Sequence, residues 1–312
     1  MSDSIPAWGL DCELDEEIVV AVLRDQFREL EPWKVRFLQE GWDSRAYVVN
    51  DEWIFRMPKR ANVVPSLMVE RRLLPLLEEA LPVDVPRFEW HGVPSDRFPH
   101  PFSGYRLLLG DLGDAIPRRE IATPAVARQL GELLRVIHAV PVERAREAGV
   151  PEGREPWTPA CWPWLGATVA KSGDEIEAAL GTRRWLVIQS LLESGLPVAS
   201  EPAGLLHADF SIEHLLLDPG TRAVTGVIDW ADTTLGDPAI DFAAFEVFLG
   251  EEFVAGMLNA YVPNDLACFR TRIHALATRI ASYRVVETLQ RDPENLPGAL
   301  RDFDRILGTG DV

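Results

Sequence analysis

One short stretch of the chain, His207 to Trp230, contains the types of side chain that phosphoryl transfer needs. Asp209 lies on a predicted tight loop, where a carboxylate can orient an alcohol and accept its proton as the oxygen attacks phosphorus. His214 comes shortly afterwards, and Asp229 follows a short apolar run. Side chains presented from two directions can bind the magnesium ion that bridges nucleotide phosphates. We therefore predict Asp209 as the catalytic base and His214 and Asp229 as metal ligands.

The elements around these residues would bring the two metal ligands face to face. Apolar residues 215–217 and 224–228 flank the turn residues 218–221, so we predict a hairpin with Asp229 at its exit. Taken singly, each Asp or His could simply end a strand or cap a loop. Their occurrence together within one short stretch is what indicates a catalytic site.

A third motif follows and completes a resemblance to a known family. Asp237 and Asp241, in Gly-Asp-Pro-x2-Asp, are predicted to hold the catalytic loop and to cap the next helix. Together with His-x-Asp-x4-His and Ile-Asp-Trp, this order of motifs resembles the aminoglycoside phosphotransferases, which have a protein-kinase-like fold. Most of that family has Asn where this chain has His214. The 2''-aminoglycoside and macrolide phosphotransferases have His there too, and the chain resembles the 2''-group most.

The resemblance spans about residues 35–250 and implies a nucleotide-binding N-terminal part. Residues 35–49 predict a strand, a turn at 39–44 and a second strand; Ser44 could touch phosphate there, although a generic hairpin turn fits equally well. Arg56, on a third strand, occupies the place of the phosphate-binding Lys of most kinases. Glu70, on an amphipathic helix, is predicted to pair with Arg56, and a solvated helical Glu is the alternative.

A predicted strand over residues 104–110 leads out of this part of the chain. The backbone of Leu107 and Leu108 would offer N–H and C=O groups to a purine base. Tyr105 would lie near the back of that pocket, where its bulk disfavours the deeper adenine pose. We therefore expect GTP to be accepted at least as well as ATP.

The predicted fold is α+β and protein-kinase-like, with two lobes. Residues 1–107 would form the nucleotide-binding lobe, with a helix over residues 16–30 and a small antiparallel sheet. Residues 108–312 would form a mostly helical lobe, with helices over residues 125–138 and 174–194, that carries the catalytic loop and the substrate site. The aromatic residues 157–164 could form a lid or pack between helices.

The composition of the chain indicates which binding partners and which cellular compartment to expect. The formal net charge of −18 argues against a nucleic-acid partner and is compatible with a cationic substrate, although it also serves solubility. No apolar run approaches membrane-spanning length, so we expect a cytoplasmic protein without a membrane partner. The three cysteines match neither a disulfide framework nor a metal motif.

The resemblance implies an enzyme that uses Mg²⁺ and transfers the γ-phosphoryl group of GTP or ATP to a hydroxyl of an aminoglycoside. A macrolide, or a small metabolite such as an amino-alcohol or a sugar, is the alternative acceptor. A nucleotide-binding pseudoenzyme is the alternative of another class. The oligomeric state is not predicted. Carboxylates that could bind a cationic substrate are Asp232, Glu213, Glu246 and Glu287.

Overall fold

The computed structural model describes residues 10–153, 163–199 and 201–308, which form two units. The first contains the described residues up to Gly110 together with Thr225–Ala231, and the second contains Asp111–Val224 and the described residues from Asp232 onward. The sequence placed the boundary after residue 107. The later segment joins the first unit because Asp84 donates its N–H to the Thr225 carbonyl (2.8 Å) and accepts from the Val227 N–H (2.9 Å).

The first unit is built around a five-stranded antiparallel sheet with strand order β1-β2-β3-β5-β4. One face of this sheet packs against α1 through Val22 and Leu23, and this core includes Phe55 and Phe102. Its elements are α1 (Glu16–Gln26), β1 (Val35–Glu40), β2 (Ser44–Val49), β3 (Trp53–Pro58), α2 (Val64–Ala80), β4 (Phe88–Gly92) and β5 (Phe102–Arg106).

Three predicted boundaries in the first unit differ from the structure. The strand predicted over residues 104–110 is β5, which spans Phe102–Arg106. The turn between β1 and β2 is shorter than residues 39–44, because the Gly41 N–H bonds the Ser44 carbonyl (2.9 Å) and lets both strands extend. The first helix ends at Gln26 rather than at residue 30, and a separate 3-10 turn, Arg28–Leu30, follows it.

The second unit is mostly helical and has two small sheets, in which β7 pairs with β10 and β6 pairs with β8, both antiparallel. β9 begins in this unit at Val224. Its elements are β6 (Asp111–Leu112), α3 (Arg118–Ile121), α4 (Pro124–His138), α5 (Val142–Glu147), α6 (Pro163–Leu180), α7 (Thr182–Glu193), β7 (Gly204–Leu206), β8 (Leu215–Leu217), β9 (Val224–Val227), β10 (Thr234–Gly236), α8 (Ile240–Leu249), α9 (Glu251–Tyr261), α10 (Leu266–Arg291) and α11 (Leu296–Ile306).

The helix predicted over residues 174–194 is in fact parts of two helices. Gly181 has φ of +81°, a left-handed conformation that glycine adopts without a Cβ clash, and it separates α6 from α7. The helix predicted over residues 125–138 is confirmed as α4, which Thr123 caps by accepting a hydrogen bond from the Val126 N–H. Of the aromatic segment 157–164, residues 157–162 lie outside the described residues; Trp164 packs edge-on against Tyr283.

Candidate active site

The loop after β7 presents Asp209 to solvent on a firmly held backbone. His207 is fully buried, whereas the Asp209 side chain is 53% exposed. Ala208 between them has φ of +69°, which is strained for a residue with a Cβ. The Asp241 carboxylate offsets this strain by accepting hydrogen bonds from the backbone N–H groups of His207 (2.9 Å) and Ala208 (2.8 Å). The predicted role of Asp241 in holding this loop is therefore confirmed, whereas its predicted role as the cap of α8 is wrong, because Asp241 lies inside that helix.

The 3-10 turn Ile212–His214 brings His214 back beside Asp209. The His214 Nδ1 lies 2.7 Å from the backbone carbonyl of Asp209, and the ring stacks on that of His207 at 5.7 Å between centroids. A neutral imidazole that donates from Nδ1 has its lone pair on Nε2, the arrangement that metal-binding histidines use. Donor atoms of Asp209, Glu213 and His214 all lie within 4.8 Å of one another, so this group could hold a metal ion.

The first unit contains the predicted pair of Arg56 and Glu70, together with Asp229. The Arg56 guanidinium contacts a Glu70 oxygen at 2.7 Å through one terminal nitrogen and an Asp229 oxygen at 3.0 Å through the other. Burial raises the pKa of Glu70, while Arg56 and the backbone of Trp230 act in the opposite direction. Asp229 is half-exposed and has φ of +62°, so its carboxylate is displayed at the end of β9.

The hairpin turn between β1 and β2 is held by two basic residues that sequence analysis did not assign. Lys59 binds Glu40 at 2.7 Å and the Gly41 carbonyl at 3.2 Å, and Arg60 binds Asp43 at 2.8 Å. Their position directly after β3 was the signal available in the sequence. Both side chains are buried, so they stabilise the turn that ends at Ser44.

The predicted purine-binding groups need one correction. The Leu107 N–H donates to the Glu52 carbonyl at 2.7 Å, because the chain continues beside β3 after β5 ends. This N–H is therefore not the donor expected for a base. Leu108 packs on a small cluster of Val48, Ile54 and Tyr105. Burial raises the pKa of Tyr105 to about 12, so its phenol is neutral at physiological pH.

The structure places the four candidate substrate carboxylates in different surroundings. Asp232 and Glu213 are exposed, and Glu213 lies beside Asp209. Glu246 is buried and bonds His274 at 2.6 Å. Glu287 accepts from the Tyr283 hydroxyl (3.3 Å) and binds Arg291 (3.1 Å). Glu246 and Glu287 thus interact with cationic or donor groups of the protein itself.

Comparisons with known proteins show the family and the fold of this chain. A sequence profile described as the phosphotransferase enzyme family matches residues 34–272. Uncharacterized protein YcbJ of Bacillus subtilis (strain 168) is 25% identical over 263 residues, which cover 78% of this chain and 79% of that protein.

Two solved structures are similar over nearly the whole chain. The GDP and kanamycin complex of APH(2'')-IIIa matches with a TM-score of 0.74 and 26% identity, covering 94% of this chain and 99% of that one. The apoenzyme of macrolide 2'-phosphotransferase MphH from Brachybacterium faecium matches with a TM-score of 0.63 and 21% identity, covering 92% and 98%, a likeness of fold alone. The predicted kinase-like α+β fold is thereby confirmed. Among the described helices, none is long and apolar enough to cross a membrane.

Proposed function

Because this chain belongs to the phosphotransferase enzyme family, we propose that it transfers the γ-phosphoryl group of GTP or ATP to a hydroxyl of an aminoglycoside. The observation that carries the proposal is the loop on which Asp241 holds the backbone of His207 and Ala208, so that Asp209 is exposed on a fixed support. The 26% identical structure with bound GDP and kanamycin supports the nucleotide and acceptor classes.

In the proposed reaction, Asp209 accepts a hydrogen bond from the acceptor hydroxyl and takes its proton as the hydroxyl oxygen bonds to the γ-phosphorus. The bond from that phosphorus to the β–γ bridging oxygen breaks, and the nucleoside diphosphate leaves with the electron pair. Arg56, positioned by Glu70, neutralises phosphate charge in the first unit. The chain therefore contributes mainly orientation and electrostatic stabilisation.

A magnesium ion prefers hard oxygen ligands, so the carboxylate among the proposed ligands fits it well and the imidazole nitrogen fits it less well. Asp229 is the proposed ligand in the first unit, where its half-exposed carboxylate lies beside Arg56. In the second unit the proposed ligand is His214, whose Nδ1 hydrogen bond leaves Nε2 as the coordinating atom. When bound, magnesium would withdraw charge from the transferring phosphoryl group.

Nucleotide recognition is proposed for Ser44 on the hairpin and for the chain beyond β5. With the Leu107 N–H bonded to Glu52, the Leu107 carbonyl and the Leu108 N–H are the proposed contacts to the base. Tyr105, on β5, adds the bulk on which we base the acceptance of GTP. A much lower apparent KM for ATP than for GTP would contradict that part of the proposal.

A cationic acceptor is proposed to bind the exposed carboxylates Asp232 and Glu213. Glu246 pairs with His274, and Glu287 pairs with Arg291. These two carboxylates would bind the acceptor only if those ion pairs were broken. The acidic surface implied by the formal charge of −18 supports a cationic acceptor rather than a neutral one.

The test is nucleotide turnover by the purified protein with Mg²⁺ and GTP or ATP against aminoglycosides, macrolides and small amino-alcohols, with the product mass determined. A phosphorylated aminoglycoside is expected. A phosphorylated macrolide or amino-alcohol would replace the proposed acceptor class, and nucleotide binding with no product from any acceptor would indicate a pseudoenzyme.

The Asp209→Asn variant tests the catalytic assignment in the same assay. It should lower turnover about 10²- to 10⁴-fold, because a neutral amide cannot accept the proton, while nucleotide affinity stays within about twofold. Asp218→Asn is the matched control, since Asp218 accepts hydrogen bonds only within its own surface turn among its described contacts. Turnover of Asp209→Asn equal to that of the control would refute the role of Asp209.

A further inference from the structure

A chain of buried and part-buried hydrogen bonds connects two helix ends to the loop that carries Asp209. The Tyr261 hydroxyl lies 3.0 Å from His138 Nδ1, and His138 Nε2 lies 3.1 Å from Asp241 Oδ2. The same Asp241 carboxylate accepts from the backbone N–H groups of His207 and Ala208. Asp241 is fully buried, so each of these donors replaces water that its charge would otherwise require.

Close helix packing places His138 and Tyr261 together. His138 is the last residue of α4, and Tyr261 is the last residue of α9. A Cβ at Gly131 would overlap the backbone carbonyl of Met257, so α4 and α9 approach each other at backbone distance. The His138 ring then packs edge-on against Tyr261, with centroids 5.4 Å apart.

The direction of the hydrogen bonds follows from the chemistry of the groups. Burial raises the pKa of Tyr261, with further upward contributions from nearby acidic residues that include Asp241. The phenol therefore stays protonated, and its O–H can donate a hydrogen bond to His138 Nδ1. A neutral His138 that accepts at Nδ1 has its N–H at Nε2, where it donates to Asp241. The hydrogen bond from Tyr261 thus stabilises the His138 tautomer with N–H at Nε2, which can donate to the Asp241 carboxylate.

The backbone is strained at both ends of this chain of hydrogen bonds. Ala208, next to Asp209, has φ of +69°, and Val262, next to Tyr261, has φ of +58° although it is β-branched. Such conformations persist where surrounding contacts over-determine them, and they concentrate at functional sites. The Asp241 carboxylate holds Ala208 directly, and His138 and Tyr261 orient that carboxylate.

We propose that His138 and Tyr261 are positioning residues for phosphoryl transfer, which act on Asp209 through the orientation of the Asp241 carboxylate. The catalytic part of this inference rests on the proposed function. Its structural part, that the two side chains hold the backbone at His207 and Ala208, does not.

Tyr261→Phe tests both parts, because it removes one hydroxyl and keeps the ring that packs on Phe269. Hydrogen exchange at the His207 and Ala208 amides should accelerate about tenfold. Turnover should fall about tenfold while the KM for nucleotide stays within about twofold. The matched control is Tyr47→Phe, which removes a buried hydroxyl that donates to the Leu14 carbonyl (3.4 Å) in the first unit.

The exchange readout separates failure of this inference from failure of the proposed function. If the wild-type protein turns over no acceptor, exchange at His207 and Ala208 still decides the structural part. Exchange there equal to that in Tyr47→Phe, or accelerated uniformly across the second unit, would overturn the inference. His138→Gln offers a further check: its amide can donate to Asp241 and accept from Tyr261, so it should retain more turnover than His138→Leu, and equal losses would count against positioning.

Discussion

At the scale of single residues, the contacts of Arg56 are consistent with its proposed role in place of a kinase Lys. One planar guanidinium reaches two carboxylates, Glu70 and Asp229, from separate nitrogens. The Glu70 side chain is only 2% exposed, so it depends on Arg56 for compensation of its charge. Asp229 is 48% exposed and can be solvated by water.

This difference in burial between Glu70 and Asp229 predicts how substitutions at Arg56 change the stability. Arg56→Met should destabilise the first unit by about 3 kcal/mol, because it leaves a buried carboxylate without its cation. The double variant Arg56→Met/Glu70→Leu should return to within about 1 kcal/mol of wild type, since the buried charge is then gone as well. Urea unfolding measures both. Additive losses in the double variant would show that Glu70 does not depend on Arg56.

A second residue pair makes stability depend on pH. The hydrogen bond to Glu246 raises the pKa of His274 above its usual 6.5, and Glu251 contributes in the same direction. When the folded state raises the pKa of a group, the group stabilises the protein fully at pH values below its unfolded-state pKa. This stabilisation is lost as the pH rises through the folded-state pKa.

His274→Gln should therefore lower Tm more at about pH 5.5 than at about pH 9, where the imidazole is neutral in both states. His91→Gln is a control of opposite sign, because burial lowers the pKa of His91 and its protonation disfavours the folded state. Its Tm relative to wild type should improve as pH falls. A His274→Gln difference that is constant across this range would exclude the pair as the source.

At the scale of elements, α4 and α9 depend on glycine at their contact. A Cβ at Gly131 would overlap the Met257 carbonyl, and one at Gly256 would lie 3.0 Å from the Ala127 Cβ. This close approach sets the positions of the helix ends that carry His138 and Tyr261. The helix pair therefore supports the loop that presents Asp209.

Gly131→Ala should destabilise the protein by about 1–3 kcal/mol, because the helices must separate to admit the methyl group. Gly166→Ala in α6 is the matched control, since a Cβ there would meet no atom of the described residues within 4 Å. That substitution should stabilise by about 0.5–1 kcal/mol through helix propensity. Midpoints of chemical denaturation compare the two, and equal shifts would show that α4 and α9 tolerate the added methyl.

At the scale of the whole molecule, a formal charge of −18 should favour capture of a cationic acceptor. Raising NaCl from about 0.02 to 0.3 M shortens the Debye length and should raise the acceptor KM several-fold. The KM for the anionic nucleotide, measured in the same series, should not rise in parallel. A salt-independent acceptor KM would show that the net charge serves solubility alone.

Motif order, through the family resemblance that it carries, predicted the fold class, and local patterns predicted most element positions and the loop that carries Asp209. Asp209 and His214 are neighbours along the sequence, so a tight turn is sufficient to bring them together. The pair of Arg56 and Glu70 was also predictable: periodicity indicated the amphipathic helix that carries Glu70, and the resemblance to kinases implied its pairing with Arg56. The break at Gly181 was missed, since helical periodicity continues on both sides of it.

Only the tertiary structure decided which groups meet across long separations in sequence. It bonded the Leu107 N–H to Glu52, paired Glu246 with His274, and joined Tyr261, His138 and Asp241 beside the loop that carries Asp209. Residue type and periodicity indicate which side chains are buried, but burial alone does not name their partners. Those partners depend on how closely distant helices can approach, which glycine contacts such as that of Gly131 with Met257 determine.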